Sequence, residues 1–335
     1  MVKFLIMRLV SSIFVLFIVI TITFFISHLL PGDPTYLWVG DHPTDEQMVR
    51  AKKELGLDRS VIEQYVSFCS NIVTLDFGIS IRTRQPVLFE LKNRLAATFE
   101  LVTVSLSIAM FLGCLLGFVA AIKQNTRRDH FIRAFGYAGL SFPVFWLGMV
   151  LQLFFFGVLD WFPLQGRHSG LVDTEGANQS RFLLLDSLLS GNLALFYDAL
   201  RHVFLPAFTM TLGALGVIIK TARSSMIEAI SEPFFKTYSS YGFSPLETVM
   251  HSAYKNTLMP IFTIAGLSFG TMLGGTFLVE SIFDWPGLGH FSVLSVLTND
   301  FPSIMGVTIL YTLTYIIINL FIDLAYFMID PRIQN

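Results

Sequence analysis

Residues 231–256 read SEPFFKTYSSYGFSPLETVMHSAYKN, a polar stretch between two long apolar segments of the chain. Hydrophobic residues make up 53% of the sequence and charged residues only 14%, whereas soluble globular domains contain about 25% charged residues. This composition predicts a membrane protein. A polar stretch kept on one side of a bilayer is expected to receive a partner there, and we call residues 231–256 the polar segment.

Six apolar stretches have the length of about 20 residues that crosses a hydrocarbon core. The first is too long for the apolar region of a signal peptide and runs into Pro31-Gly32-Asp33-Pro34, so it is predicted to remain a spanning helix. The expected fold class is an all-α membrane protein with six transmembrane helices. The predicted spans lie near residues 9–29, 98–122, 134–160, 202–222, 258–282 and 303–328.

Lysine and arginine near the span ends predict the orientation. Eleven of them lie in the short segments on one side, and none lies in the short loop 283–302 on the other side. Because cytoplasmic loops are enriched in these residues, both termini and the polar segment are expected in the cytoplasm. The organisation expected is the N-terminus and first span at 1–29, a small extracytoplasmic element at 30–97 and a five-helix core at 98–335.

The extracytoplasmic element is predicted to be folded. Its sequence from Ala51 to Leu75 is helix-like, with apolar residues recurring at intervals of three and four. Residues 75–80 then form a glycine-containing turn that closes the element before the chain returns to the bilayer.

The sequence lacks the motifs of an enzyme or a cofactor-binding protein. It contains no phosphate-binding loop G-x-x-x-x-G-K-[ST], and its histidines never have metal-ligand spacing. Cys69 and Cys114 belong to no redox motif, and the net charge of −2 does not favour nucleic acid. We therefore expect no catalytic, cofactor-binding or metal-binding residues. A transporter with this sequence would have to draw its energy from another subunit or from an ion gradient.

Asp323 is the clearest ionisable residue within a span, four residues after Asn319 on one helix face. Proton and sodium relays usually recruit several acidic residues in different spans, whereas Asp323 is a single acidic residue. A structural bond to a basic residue at the cytoplasmic surface and a role in gating both stay open.

The fifth span contains three glycines at intervals of four, Gly266, Gly270 and Gly274. Small residues at this spacing let a neighbouring backbone approach closely inside a membrane. The face is expected to pack on another helix, either within the chain or on a partner. Gly113 and Gly117 show the same spacing in the second span.

The polar segment predicts two short helices. Residues 231–233, Ser-Glu-Pro, provide a cap, an acid at the positive helix end and a proline at the first turn. Gly242 is expected to end this helix. Ser244 and Glu247 have the capping-box spacing for a second helix that leads toward Pro260.

The first of these helices has an aromatic face. Such a face can contact a groove on a soluble partner or lie among lipid headgroups, and the sequence leaves both open. Its residues are Phe234, Phe235, Tyr238 and Tyr241.

The chain resembles, over nearly its whole length, the permease subunits of ATP-binding-cassette (ABC) importers for dipeptides, oligopeptides and nickel, specifically the dipeptide permease B type. The resemblance implies a type I ABC importer permease fold. It is carried by LPGDP at 30–34, DFGIS at 76–80, QPV at 85–87, SFPVFWLG at 141–148, ESIFDWPGLG at 280–289, NDFP at 299–302 and DPR at 330–332.

In this family the loop matching the polar segment couples the permease to a cytoplasmic ATPase, whose cleft receives a short helix. Gly242 matches the motif glycine, and Thr237 matches a usual threonine. Where relatives read TARAKG, this chain reads TYSSYG at 237–242, so two alanines and two basic residues are absent. The resemblance therefore implies an ATPase contact unlike that of the relatives.

The resemblance and the residue positions together assign the candidate site residues. The cytoplasmic interface is expected at Lys220 and Arg223, helix packing along the pore at Gly266, Gly270 and Gly274, and the outer gate region at Trp285, Pro286, Gly287 and Gly289. The residues expected to couple to the ATPase are Glu232, Lys236, Thr237, Tyr238, Tyr241, Gly242, Ser244 and Glu247.

The function implied is the permease subunit of an ATP-driven peptide importer in a bacterial inner membrane. Its expected partners are a second homologous permease, two ABC ATPase subunits that bind ATP and magnesium, an extracytoplasmic substrate-binding protein and membrane lipid. Nickel chelates, antimicrobial peptides and polyamines are alternative cargoes. A gradient-driven secondary transporter and a membrane scaffold are alternatives of other classes.

Overall fold

The computed structural model describes residues 2–29, 34–40, 43–171, 180–243, 245–248 and 254–329. Within these residues the chain is helical and forms no β-strand beyond one isolated bridge between Ile79 and Pro86. The helices are α1 (Val2–Leu29), α2 (Pro34–Val39), α3 (Asp45–Glu54), α4 (Val61–Val73), α5 (Val87–Ile122), α6 (Arg127–Ser141), α7 (Val144–Gln152), α8 (Leu183–Leu189), α9 (Leu193–Ser231), α10 (Pro233–Ser240), α11 (Pro245–Thr248), α12 (Tyr254–Ile282), α13 (Leu288–Leu297) and α14 (Phe301–Ile329).

Among the described residues, five helices are long and apolar enough to cross a membrane: α1, α5, α9, α12 and α14. A sixth span is obtained when α6 and α7, with its continuation to Val158, are taken together. The predicted all-α fold is confirmed, and the described residues contain five candidate spans, or six when this pair is counted as one.

The third span differs from the single helix predicted at residues 134–160. α6 and α7 meet at an angle of 98°. Phe142, between them, has an extended backbone with φ −104° and ψ 142°, because the following Pro143 disfavours the helical conformation of its predecessor. After Gln152 the chain continues as a π-helix, Leu153–Val158.

By internal packing the chain divides into residues 1–98 with 286–317 and residues 99–285 with 318–335. In the first unit, the predicted helix-like stretch from Ala51 to Leu75 is two helices, α3 and α4. Gly56, with φ +68°, separates them. A capping box between Ser60 and Glu63 starts α4, and the bond from the Ser60 backbone lowers the pKa of Glu63.

The first unit has an apolar core between α1, the start of α5, α13 and α14. The predicted turn after α4 contributes the buried side chain of Phe77 to this core. The following residue in the turn, Gly78, has φ +77°. The core residues are Ile20, Phe77, Val87, Leu91, Leu288, Phe291, Val307 and Ile309.

In the second unit, α9 packs against α6, α7, α8 and α12. Glycines on its neighbours permit close approach. A Cβ atom at Gly117 of α5 would lie 2.7 Å from Ala222 Cβ and 2.9 Å from the Ile219 carbonyl oxygen, and one at Gly139 of α6 would lie 2.6 Å from the Leu212 carbonyl oxygen. The close helix packing of the second span is therefore within the chain.

Candidate functional site

The polar segment begins where α9 ends. Ser231 is the last residue of α9, and its hydroxyl donates to the Glu228 carbonyl at 2.7 Å. Glu232 is extended, with φ −68° and ψ 148°, and α10 starts at Pro233. Proline at the first position of the short helix is confirmed. The prediction that Ser231 caps this helix is wrong, because Ser231 is still part of α9 and Glu232 occupies the position before α10.

The first short helix of the polar segment ends before Gly242. The Tyr241 N–H donates to the carbonyls of Thr237 at 3.2 Å and Tyr238 at 3.1 Å. Gly242 has φ +86°, a left-handed conformation that costs glycine little because it has no Cβ atom. No described atom lies within 4 Å of a Cβ placed there. The predicted break at Gly242 is confirmed, and this corner of the chain faces outward.

The two tyrosines near the end of the first short helix differ in exposure. Tyr241 is 79% exposed. Tyr238 is half-buried, and its ring packs edge-on against Phe243 with centroids 5.7 Å apart. At the end of α10, the ring of Tyr241 is therefore the more exposed of the two. Glu232, Thr237, Gly242 and Glu247 are also exposed.

Part of the polar segment lies outside the described residues. This applies to Ser244, and with it to the predicted capping box, and to the side chains of Phe234, Phe235 and Lys236. Glu247 lies in the short helix α11. Pro260 lies in α12, Tyr254–Ile282, and the predicted continuation from the second short helix to this proline passes through residues outside the described ones.

The two residues predicted for the cytoplasmic interface have different surroundings. Lys220 is exposed. Arg223 donates from Nε and Nη2 to the two carboxylate oxygens of Asp129, at 2.7 and 2.8 Å. Asp129 is fully buried, accepts from the Asn125 N–H at 2.9 Å and lies 3.3 Å from Arg133 Nε. The guanidinium of Arg223 is thus engaged inside the chain.

The predicted glycine face of α12 is packed at one end only. A Cβ atom at Gly266 would collide with the Ile322 side chain of α14. Gly270 is half-buried. Gly274 and Gly275 are exposed, and among the described atoms none lies within 4 Å of a Cβ at either position. The structure thus leaves the Gly274 end open for a second protein or for lipid.

In the predicted outer gate region, Trp285 is covered by an arginine. The Trp285 side chain is only 1% exposed, and the Arg167 guanidinium lies 5.5 Å from its ring centroid. Arg167 also forms an ion pair with Glu100, which is buried and accepts from the Leu184 N–H at 2.6 Å. Arg167 and Glu100 carry no local sequence signal for this contact, because they lie 67 residues apart along the chain.

Further bonds fix the loop that carries Arg167 to the end of α12. The Gly166 N–H donates to the Phe283 carbonyl at 2.9 Å. The side-chain amide of Gln152 donates to the carbonyls of Leu164 at 2.8 Å and Ile282 at 3.3 Å. The loop and Trp285 are therefore one hydrogen-bonded structure within the second unit.

The other predicted gate residues belong to the first unit. Pro286 is exposed, whereas Gly287 and Gly289 are buried. Gly287 precedes α13, and the next N–H, from Leu288, donates to the Thr98 hydroxyl at 2.8 Å.

A buried carboxylate in the first unit joins two stretches that the sequence analysis quoted without giving them a role. Asp300 is fully buried and precedes α14. It accepts from the Ser80 hydroxyl at 2.5 Å, the Ile81 N–H at 3.0 Å and the Ser303 hydroxyl at 2.8 Å. The available signal was an aspartate before an apolar helix, which is typical of an N-cap.

Asp323 and Asn319 lie in α14 and are half-buried, and both readings of Asp323, a structural bond and a role in gating, stay predictions.

Among the described residues no group of three or more histidine, cysteine, aspartate or glutamate side chains is placed to hold a metal ion.

The sequence matches known families over almost its whole length. Residues 113–335 match the family described as binding-protein-dependent transport system inner membrane component. Residues 1–102 match the corresponding N-terminal family of these membrane components.

Several curated proteins are similar to the chain. A probable D,D-dipeptide transport system permease of Escherichia coli is 39% identical, with 94% of this chain and 92% of the relative covered. A di/tripeptide transport system permease of Pseudomonas aeruginosa is 35% identical (100% and 99% covered). A glutathione transport system permease of Escherichia coli is 33% identical (100% and 99% covered).

Among solved structures, the chain was compared with the MetNI methionine ABC transporter in inward-facing conformations. One of its chains aligns with a TM-score of 0.49 and 13% identity, covering 70% of this chain and 94% of that chain.

Proposed function

The chain belongs to the family of inner membrane components of binding-protein-dependent transport systems, and from that membership we propose that it is the permease subunit of an ATP-driven importer of short peptides. It spans the membrane several times and forms a translocation path together with a second, homologous permease.

The relatives support the substrate class. Those that align over more than nine-tenths of this chain are permeases named for D,D-dipeptides, for di- and tripeptides and for glutathione. These cargoes share a peptide backbone of two or three residues. Short peptides are therefore the proposed cargo, ahead of nickel chelates, antimicrobial peptides and polyamines.

We propose that the energy is supplied by two ABC ATPase subunits, which bind ATP and magnesium, while an extracytoplasmic binding protein delivers the peptide. The chain itself performs no covalent chemistry. The exposed end of α10, with Tyr241 and Gly242, supports a docking role for the polar segment. The lysine and arginine distribution supports a cytoplasmic location of this segment and of both termini.

Reconstitution tests the proposal. The chain, its partner subunits from the neighbouring genes and the binding protein are placed in proteoliposomes, and uptake of a labelled dipeptide is measured with ATP and magnesium or with a non-hydrolysable analogue. We expect uptake only with ATP, and we expect it to persist when ionophores collapse the ion gradients. Uptake driven by a proton or sodium gradient without ATP would favour the secondary transporter.

The cargo is tested separately. Mass spectrometry of the ligand carried by the purified binding protein is expected to find peptides of two or three residues. A metal chelate or a polyamine in its place, with ATP-driven uptake of the same compound, would overturn the substrate class but not the ATP-driven mechanism.

A further inference from the structure

We propose that Arg223 and Asp129 are positioning residues for transport, and that their buried ion pair passes movement of the polar segment to the membrane helices. The inference rests on the proposed function, since it assumes that an ATPase moves the polar segment. It reassigns Arg223 from the partner interface to a joint inside the permease.

The ion pair has the geometry of a rigid joint. Both carboxylate oxygens of Asp129 receive a guanidinium nitrogen of Arg223, at 2.7 and 2.8 Å. A bidentate pair fixes orientation as well as distance. The carboxylate is fully buried and the guanidinium is only partly exposed, so few water molecules can compete for these hydrogen bonds.

Asp129 also holds the turn between α5 and α6. It accepts a hydrogen bond from the Asn125 N–H at 2.9 Å. Asn125 has φ +61°, a left-handed conformation that a neighbouring hydrogen bond helps to hold. One carboxylate therefore ties three parts of the chain together: the turn after α5, the start of α6, and α9.

Arg223 connects this joint to the polar segment by an unbroken helix. α9 continues from Arg223 to Ser231, and the backbone becomes extended only at Glu232. At a rise of about 1.5 Å per residue, this end of α9 is about 12 Å long. A force on α10 reaches the joint through one short, stiff piece of helix.

The helices around the joint leave no room to slide. A Cβ at Gly117 of α5 would lie 3.1 Å from the Arg223 backbone nitrogen and 2.7 Å from Ala222 Cβ, and one at Gly136 of α6 would lie 3.3 Å from Gly216 Cα. Backbones packed this closely in a membrane move together. The ion pair lies beside these contacts, so α9 carries the inner ends of α5 and α6 with it.

Stability alone accounts poorly for a buried ion pair. The free-energy cost of removing two charges from water offsets most of the gain from their attraction. Proteins in which apolar side chains replace such a pair are often as stable. What the pair does provide is a single fixed arrangement of the helices it joins. Arg133 adds positive charge at 3.3 Å from Asp129, but its Nε makes no hydrogen bond among the described residues.

The test measures peptide transported per ATP hydrolysed by the full complex in proteoliposomes. The variants are Arg223→Gln, Asp129→Asn and Arg223→Lys, the last of which keeps the charge but loses the bidentate geometry. The matched control is Arg128→Gln, which removes a charge from the exposed residue next to Asp129. Assembly is followed by the yield and melting temperature of the complex.

We expect the three variants to assemble and to hydrolyse ATP, while the peptide transported per ATP falls about tenfold or more, within the 5- to 150-fold range of ordinary coupling. Arg128→Gln should keep the wild-type ratio. A merely structural role predicts that uptake and hydrolysis fall together in proportion to folded complex, and this result would overturn the inference. Failure of all three variants to assemble would overturn it too.

The outcome for the proposed function is separate. Wild-type complex that shows no ATP-driven peptide uptake contradicts the proposed function itself. Wild-type complex that transports normally, with variants that keep its ratio of peptide to ATP, contradicts only the role of the ion pair.

Discussion

The Ser80 hydroxyl donates a hydrogen bond of 2.5 Å to the carboxylate of Asp300, and both residues are fully buried. The bond joins the turn after α4 to the start of α14, which are 220 residues apart in sequence. The same carboxylate accepts from the Ile81 N–H at 3.0 Å. This acceptor therefore fixes the turn after α4 to the start of the last helix, α14.

Replacement of Asp300 by asparagine should destabilise the first unit. The asparagine amide has an NH2 group in place of one carboxylate oxygen, so at least one of the present donors to Asp300 would lose its acceptor. An unsatisfied buried donor costs about 1–3 kcal/mol. The melting temperature of the purified chain in detergent should fall. Asp58→Asn, which alters an exposed acid in the same unit, should change the stability by less than about 0.5 kcal/mol. Equal effects of the two variants would contradict this role of Asp300.

The spans could be predicted from composition because each needs about 20 apolar residues, a signal that is local in sequence. The interruption of the third span was missed although Pro143 was visible. Hydropathy averages over the window and does not register one extended residue, Phe142. The division of Ala51–Leu75 into two helices was missed for a related reason, since Gly56 and Ser60 interrupt a periodic pattern without changing its mean hydropathy.

The candidate site was predictable where its signals were local. Pro233 and Gly242 mark the ends of α10, and both positions were confirmed. The contacts of Asp129 with Arg223 and of Glu100 with Arg167 join residues far apart in sequence. Such pairings depend on which helix faces meet. A single sequence therefore could not reveal that the guanidinium of Arg223 is already engaged within the chain.

Gly117→Ala should weaken the packing of α5 on α9. The added Cβ would lie 2.9 Å from the Ile219 carbonyl oxygen, and backbone atoms cannot move aside as a flexible side chain does. Overpacking of this kind costs about 1–3 kcal/mol. Gly275→Ala in α12 is the matched control, since it meets no described atom and should gain up to about 1 kcal/mol from helix propensity. The melting temperatures of both purified variants are compared with that of the wild-type protein. A wild-type melting temperature for Gly117→Ala would contradict the close packing.

Arg167→Gln should expose Trp285. Loss of the guanidinium uncovers the indole ring and leaves the buried carboxylate of Glu100 with fewer partners, so the loop 161–171 should loosen from the end of α12. A protein with Trp285 as its single tryptophan should show stronger acrylamide quenching after this change. Arg181→Gln, in which an exposed arginine near the same loop is altered, should leave quenching as it was. If quenching is unchanged in Arg167→Gln, the arginine does not cover the ring.

Gly242→Val should uncouple ATP hydrolysis from uptake while the complex still assembles. The backbone at Gly242 has φ +86°, which costs a β-branched residue roughly 1–2 kcal/mol, so the end of α10 should shift or fray.

Gly242→Asn is the informative comparison because asparagine tolerates the left-handed region and also fills the exposed corner. If the turn conformation matters, asparagine should retain most of the coupling and valine should lose it. If the partner needs an empty corner, both variants should lose coupling alike. Substrate-stimulated ATP hydrolysis and peptide uptake, measured together on the reconstituted complex, separate these outcomes, and wild-type values for the valine variant would remove Gly242 from the coupling site.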